Sequence, residues 1–189
     1  MRTFRWLVLM SAIALAASCR SQQQAPPPQA PGNVGTLRDV MHMIIESQAQ
    51  IIFDSVAITV TTAGTDERQP TTDEEWDAVV HAAFNLAEAA HLITTPGRRV
   101  ARPEEEDKSA AEVELTPRQI QAKIEENRDL FLRHAKDLQD VAMQAYKVAL
   151  DKNVQGLWDV GEPIDKACEN CHLEFWYPAE KDLKLPDRP

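Results

Sequence analysis

Apolar residues along the chain fall into blocks with helical spacing, separated by polar stretches rich in Gly and Pro. In the first block Leu37, Met41, Ile44, Ile45, Gln48, Ile51, Ile52 and Ser55 recur at three- and four-residue steps from Thr36 onward. The β-branched run Val56 to Thr62 reads as the end of that same helix, because no partner strand stands out elsewhere. Gly64 and Pro70 mark the break after it. A second helix opens at Thr72, which forms a capping box with Glu75, and Asp73 and Glu74 suit the positive helix end. Its buried face is Trp76, Val79, Val80, Ala83, Ala87 and Ala90, and Pro96-Gly97 closes it after Thr95. Thr116-Pro117-Arg118-Gln119 opens a third helix with an N-cap and a proline at the first helical position. Its stripe is Ile120, Ile124, Phe131, His134, Leu138, Val141, Ala145 and Val148, which predicts one long helix ending near Asp151.

Asn153 caps the fourth helix, whose face is Leu157, Val160, Ile164, Cys168, Cys171 and Phe175. Pro163 lacks an N–H and is expected to kink or restart that helix. Trp176-Tyr177-Pro178 closes it, and residues 179–189 read as a polar tail. The charged connection from Gly97 to Leu115, with Glu104-Glu105-Glu106-Asp107, reads as a solvated loop. With no credible strand, residues 36–178 are expected to form an all-α domain, packed as an antiparallel four-helix bundle.

The region before that domain has a different composition. Arg2 and Arg5 precede an apolar run from Trp6 to Ala17 that is too short to span a membrane, and small residues follow. Residues 1–18 therefore read as an export signal. Ala16, Ala17 and Ser18 lead directly into Cys19, which resembles a bacterial lipoprotein signal and makes Cys19 the candidate lipidated residue. Ordinary cleavage leaving a free Cys19 is the alternative. Residues 19–35, with Gln22-Gln23-Gln24 and Pro26-Pro27-Pro28, are too poor in apolar side chains to fold and read as an extended tether. Removing the signal takes Arg2 and Arg5 from the 20 basic residues, leaving 18 against 30 acidic ones, a net charge of −12. That disfavours nucleic acid and anionic lipid surfaces and favours protein partners with basic surfaces or small neutral ligands.

The chain has 3 cysteines, and two of them fall in Cys168-Glu169-Asn170-Cys171-His172. This C-x-x-C-H spacing is the attachment signature of a c-type haem. Two thiols one helical turn apart can add across the two haem vinyl groups. His172, following Cys171 directly, can reach the iron as the proximal ligand. A zinc site would need two further ligands, and no second cysteine pair exists to give them. A thioredoxin-like redox pair would follow a strand, and none precedes Cys168. With one cysteine for lipid and two for haem, no structural disulfide is expected. No paired carboxylates or nucleophile arrangement stands out, so an enzyme is not expected.

Four helices with C-x-x-C-H near the C-terminus resemble the class II cytochromes c, the cytochrome c′ and cytochrome c-556 family. The resemblance runs from about Thr36 to Pro178. Val40-Met41, Asp73-Glu74-Glu75-Trp76 and Phe175-Trp176-Tyr177-Pro178 resemble an exported, lipoprotein-type branch of it. The resemblance implies one covalent haem c and one of two distal sides. In cytochromes c-556 a methionine of the first helix binds the iron, giving an electron carrier. In cytochromes c′ the position stays open beneath an apolar residue and takes small gases such as nitric oxide or carbon monoxide. Met41 is the matching position, and a core methionine is its ordinary alternative. His42 points about 100° away from Met41, towards Asp39 and Glu46. His134 lies on an apolar stripe, where a hydrogen-bonded core histidine is the ordinary reading and a haem-pocket histidine the alternative, and His81 and His91 carry weaker signals. Arg38, one turn before Met41, is a candidate contact for a haem propionate. The function implied is membrane-tethered electron transfer in the periplasm of a Gram-negative cell. Redox proteins, or a second copy of the chain, are the candidate partners. A five-coordinate gas binder is the alternative.

Overall fold

A computed structural model describes residues 32–109 and 111–181. The expected signal, Cys19, all but the last residues of the tether, and the tail beyond Lys181 lie outside the described residues. The described residues are mostly helical, with one small two-stranded sheet. Among the described residues no helix is long and apolar enough to cross a membrane.

The first helix is built from α1 (Leu37–Val40), a single wide π-helical segment (Met41–Ile45) and α2 (Glu46–Asp54). Thr36 caps its start: the Thr36 hydroxyl accepts from the Asp39 N–H, and the Asp39 carboxylate accepts from the Thr36 N–H at 2.9 Å. The π segment has a local cause. The Glu46 N–H reaches back five residues to the Met41 carbonyl, and the Ser47 hydroxyl donates to the carbonyls of Met43 and Ile44 at 3.1 and 3.0 Å. The hydroxyl thus occupies carbonyls of the widened turn.

The helix stops at Asp54, correcting the expected continuation to Thr62. Ala57–Thr61 is strand β1, paired antiparallel with β2 (Gly64–Arg68) in the register Thr61↔Gly64 to Ala57↔Arg68. Ile58, Thr59, Val60 and Thr61 favour extended backbone. Gly64, at φ 137°, permits the tight reversal. The partner strand Gly-Thr-Asp-Glu-Arg is wholly exposed and carries no apolar alternation, which is why it cannot be seen as a strand in the sequence.

Helix α3 (Asp73–Leu92) starts at the expected box, Thr72 with Glu75, and ends before Thr94 and Thr95. Its buried face is wider than expected: Ala82, Leu86 and Ala89 join Trp76, Val79, Ala83, Ala87 and Ala90, while Val80 is half-buried. The expected single third helix is two, α4 (Pro117–Glu126) and α5 (Arg128–Leu150), divided at Asn127 with φ −118° and ψ 44°. The start of α5 is tied to the end of α3, where Arg128 donates to the Thr94 carbonyl. The expected kink or restart at Pro163 gives no break: α6 runs from Val154 to Phe175 through it. Burial of Val160 and Ile164 on either side offsets the hydrogen bond that proline removes, a loss of order 3 kcal/mol.

Helix α5 runs antiparallel to α3, as Lys152 at its end meets Asp73 at the start of α3, and antiparallel to α6, as Phe131 meets Phe175 at 5.5 Å. Helix α3 also packs on α2, and α2 on α6. The core between them is apolar, with no buried polar or charged residue among the described ones. The 97–115 connection is more ordered than a solvated loop. Val100 and Ala101 are buried, the Leu37 and Arg38 N–H groups donate to Arg99 and Val100 carbonyls, and Glu106 bridges Arg99 and Arg118.

Candidate haem cleft

The structure brings the motif and the first helix to one cleft, a cavity of about 320 Å³. One wall is the α1–π–α2 helix, through Arg38, Met41, His42 and Ile45. The facing wall is α6, through Cys168, Cys171 and His172, and α5 supplies His134 and Leu138. Every residue expected at the haem and described by the structure, namely Arg38, Met41, Cys168, Cys171 and His172, lines this one cavity. His81 and His91 do not line it, and Met43 is 72% exposed on the outer side.

The end of α6 holds the motif rigid. The Trp176 and Tyr177 N–H groups both donate to the His172 carbonyl, at 2.7 and 3.0 Å. The Tyr177 hydroxyl returns to the motif by donating to Glu169 at 2.7 Å. The His172 ring lies 5.6 Å from the Trp176 ring and 5.8 Å from the Tyr177 ring. Leu115 N–H donates to the Trp176 carbonyl, so the acidic connection is pinned at the cleft and Glu114 joins its lining. Sequence reasoning missed both Glu169–Tyr177 and Glu114. The first has the spacing of two helical turns as its only signal, and the second has none.

Burial sets the chemistry of the motif side chains. The Cys168 thiol is pushed up to about 11 by burial, with Asp165 and Glu169 adding to it. Burial pushes Cys171 up to about 12, with Cys168, Glu174 and Asp137 contributing. Both sulfurs are therefore thiols at neutral pH, the opposite of the depressed pKa that a nucleophilic redox cysteine needs. Burial lowers the His172 pKa, against the opposing pull of Glu169 and Glu114. The neutral imidazole this favours has a lone pair available for a metal.

On the first helix, Met41 is half-buried and sits where the π segment begins. His42 is mostly exposed and its Nδ1 meets Glu46 at 3.1 Å, as its facing predicted, yet it also reaches the cleft rim. Gln48, expected beside Met41, instead turns to Ser47 and Asn85. On α5, the Nδ1 of His134 is buried with no hydrogen-bond partner.

This donor set fits a haem c. Two thiols lie one turn apart, a neutral imidazole sits beside them, a thioether lines the same cavity, Arg38 can face a carboxylate, and a buried ring nitrogen awaits a partner. Among the described residues no three His, Cys, Asp or Glu side chains are grouped to hold a bare metal ion.

Comparison with family models, with curated proteins and with solved structures finds no match to this chain.

Proposed function

We propose that this chain is a single-haem c-type cytochrome of the class II kind, carrying electrons while tethered to a membrane. The observation that carries this reading is the convergence of Cys168, Cys171, His172 and Met41 on one cleft, from two helices 127 positions apart in sequence between Met41 and Cys168. Cys168 and Cys171 would hold haem c through thioethers. His172 would be the proximal iron ligand, Met41 the distal one, and Arg38 a propionate contact. When bound, the haem supplies one-electron chemistry. The chain's own part is to fix the imidazole, exclude water with Ile45, Leu138 and Trp176, and present the cleft edge to a redox partner.

The packing of α2 on α3, α3 on α5, α5 on α6 and α6 on α2 supports a four-helix bundle around that cleft. The signal-like pattern of residues 1–18 and Cys19 supports a periplasmic, lipid-anchored placement, and the acidic balance supports partners with basic docking surfaces.

The test is the full-length protein expressed with a cytochrome c maturation system. Acid–acetone extraction should leave the colour on the polypeptide, and the denatured mass should exceed the mature chain by one haem. Colour passing wholly into the acetone, with unmodified Cys168 and Cys171, would overturn the reading.

A further inference from the structure

We propose that His134 is a positioning residue whose Nδ1–H donates to a carboxylate of the group held in the cleft. On the haem reading above, on which this rests, that carboxylate is a propionate. His134 is the one side chain among the described residues with a buried nitrogen or oxygen that has no partner. Leaving such an atom unpaired costs about 1–3 kcal/mol, so natural proteins rarely keep one without an occupant that completes it.

The ring has little freedom to find a partner within the protein. Phe175, fully buried, stands edge-on to it at 6.1 Å and 88°, and Phe175 is itself locked edge-on against Phe131. The α5 residues that line the cleft with His134 are Ala135 and Leu138, which offer no acceptor, and the nearby carboxylate of Glu174 is taken by Lys181. Elsewhere on the lining the polar groups are largely occupied: His42 is paired with Glu46, and the Tyr177 hydroxyl donates to Glu169. The carboxylates of Glu46 and Glu114 also line the cleft and would repel an anion near them.

A haem has few atoms that can satisfy an imidazole N–H. Its macrocycle is apolar, and apart from the iron its strong acceptors are the two propionates. A propionate taken into the cleft must be met by donors or its burial is costly. Arg38 on α1 and His134 on α5 supply one donor side chain on each of two walls. His134 would thereby fix the rotation of the macrocycle and shield the iron from one propionate charge.

The test uses the matured, full-length protein, with wild type first shown to carry covalent haem. A wild type without it overturns the proposed function, and this inference with it, before any variant is compared. Resonance Raman of the propionate bending band in H2O and D2O, the midpoint potential at fixed pH, and the axial-ligand bands are then read for wild type, His134→Leu and His134→Gln. The expected result is a D2O-sensitive propionate band in wild type that loses its sensitivity in His134→Leu. The midpoint potential should fall in that variant, because an unshielded carboxylate favours the oxidised iron, and His134→Gln should restore part of both. Axial-ligand bands should not change. If His134→Leu does not fold, His134→Phe, which keeps a ring against Phe175 without the donor, takes its place, and an unmoved propionate band there overturns the inference. Unchanged band and potential in His134→Leu would mean that an ordered water alone satisfies the ring. Altered axial-ligand bands would mean that His134 binds the iron instead.

Discussion

Asp39 shows how single residues set the entry to the cleft wall. Its carboxylate is held below the usual range first by the Thr36 backbone N–H, then by the Thr36 hydroxyl and by Arg102, whose Nη2 lies 2.9 Å away. A carboxylate whose pKa is depressed on folding contributes stability above its unfolded pKa and loses it as pH falls through the folded value. Wild type should therefore be more stable than Asp39→Asn at neutral pH, and the difference should shrink below about pH 4, as read by urea unfolding at several pH values. Thr36→Ala removes the cap itself and should cost about 1 kcal/mol. Met41 is the residue that separates carrier from gas binder on the haem reading. Bound to iron, it makes the oxidised protein low-spin and slows carbon monoxide binding, because the thioether must leave first. Met41→Ala should turn the iron high-spin and speed that binding, while Met43→Ala, on an exposed position, should change neither. Wild type that is already high-spin would favour the five-coordinate alternative. Met41 was legible because helical facing places it on one side with Leu37 and Ile45, whereas the Thr36–Asp39 cap was not read. The role proposed for His134 was legible only as the lesser of two readings, since an apolar stripe gives the same pattern for a packed histidine and for one facing a cofactor.

Among the elements, α6 carries the motif, and its two interior glycines have opposite surroundings. A Cβ on Gly156 would lie 2.7 and 2.9 Å from the Val148 methyls and 3.0 Å from Asn153 Nδ2, whereas a Cβ on Gly161 would meet nothing within 4 Å. Valine in a helix is stiff at χ1 and cannot easily turn aside. Gly156→Ala should thus destabilise by about 1–3 kcal/mol through overpacking. Gly161→Ala should stabilise by roughly 0.5–1 kcal/mol, the ordinary helical gain of alanine over glycine. Denaturant midpoints of the two variants check the pair, and a stabilised Gly156→Ala would contradict the close approach of α5 and α6 at that point. The helices themselves were readable from caps and periodicity: Thr72, Thr116 and Asn153 accept from the backbone N–H three residues on, as does Thr36, where periodicity alone marked the start. What periodicity could not give were departures made by backbone geometry. The break at Asn127 keeps the apolar stripe in phase between Ile124 and Phe131, and the π segment at Met41–Ile45 is marked only by a serine two residues beyond it. The hairpin was missed because its second strand is all polar or glycine and fully exposed.

At the scale of the whole molecule, the anchor and the cleft make separable predictions. If Cys19 is lipidated, Cys19→Ser should move the protein from the membrane fraction into the soluble periplasm with its haem unchanged, and a wild type already soluble would remove the anchor. The cleft bears on stability more directly. Among the described residues the core has no disulfide and no buried polar or charged residue, and many alanines line α3 and α5, so its interior is held by close apolar packing. Into that core opens a cavity of about 320 Å³. At about 24 cal/mol per Å³, leaving such a volume unfilled costs up to ~8 kcal/mol, and less where water enters from the open side. That is comparable with the whole stability of an ordinary domain, about 5–15 kcal/mol. On the proposed function the haem is therefore part of the core, and a chain that cannot attach it should lose specific packing before it loses helix. Cys168→Ala with Cys171→Ala should keep most of the far-ultraviolet helical signal, lose near-ultraviolet aromatic signal around Trp176 and Phe175, and bind a hydrophobic dye. Its thermal transition should broaden and fall well below that of the haem-loaded protein. A sharp transition at the wild-type temperature in that double variant would mean that the helices pack to completion without an occupant, and that the cleft is a surface groove rather than the place of a missing core.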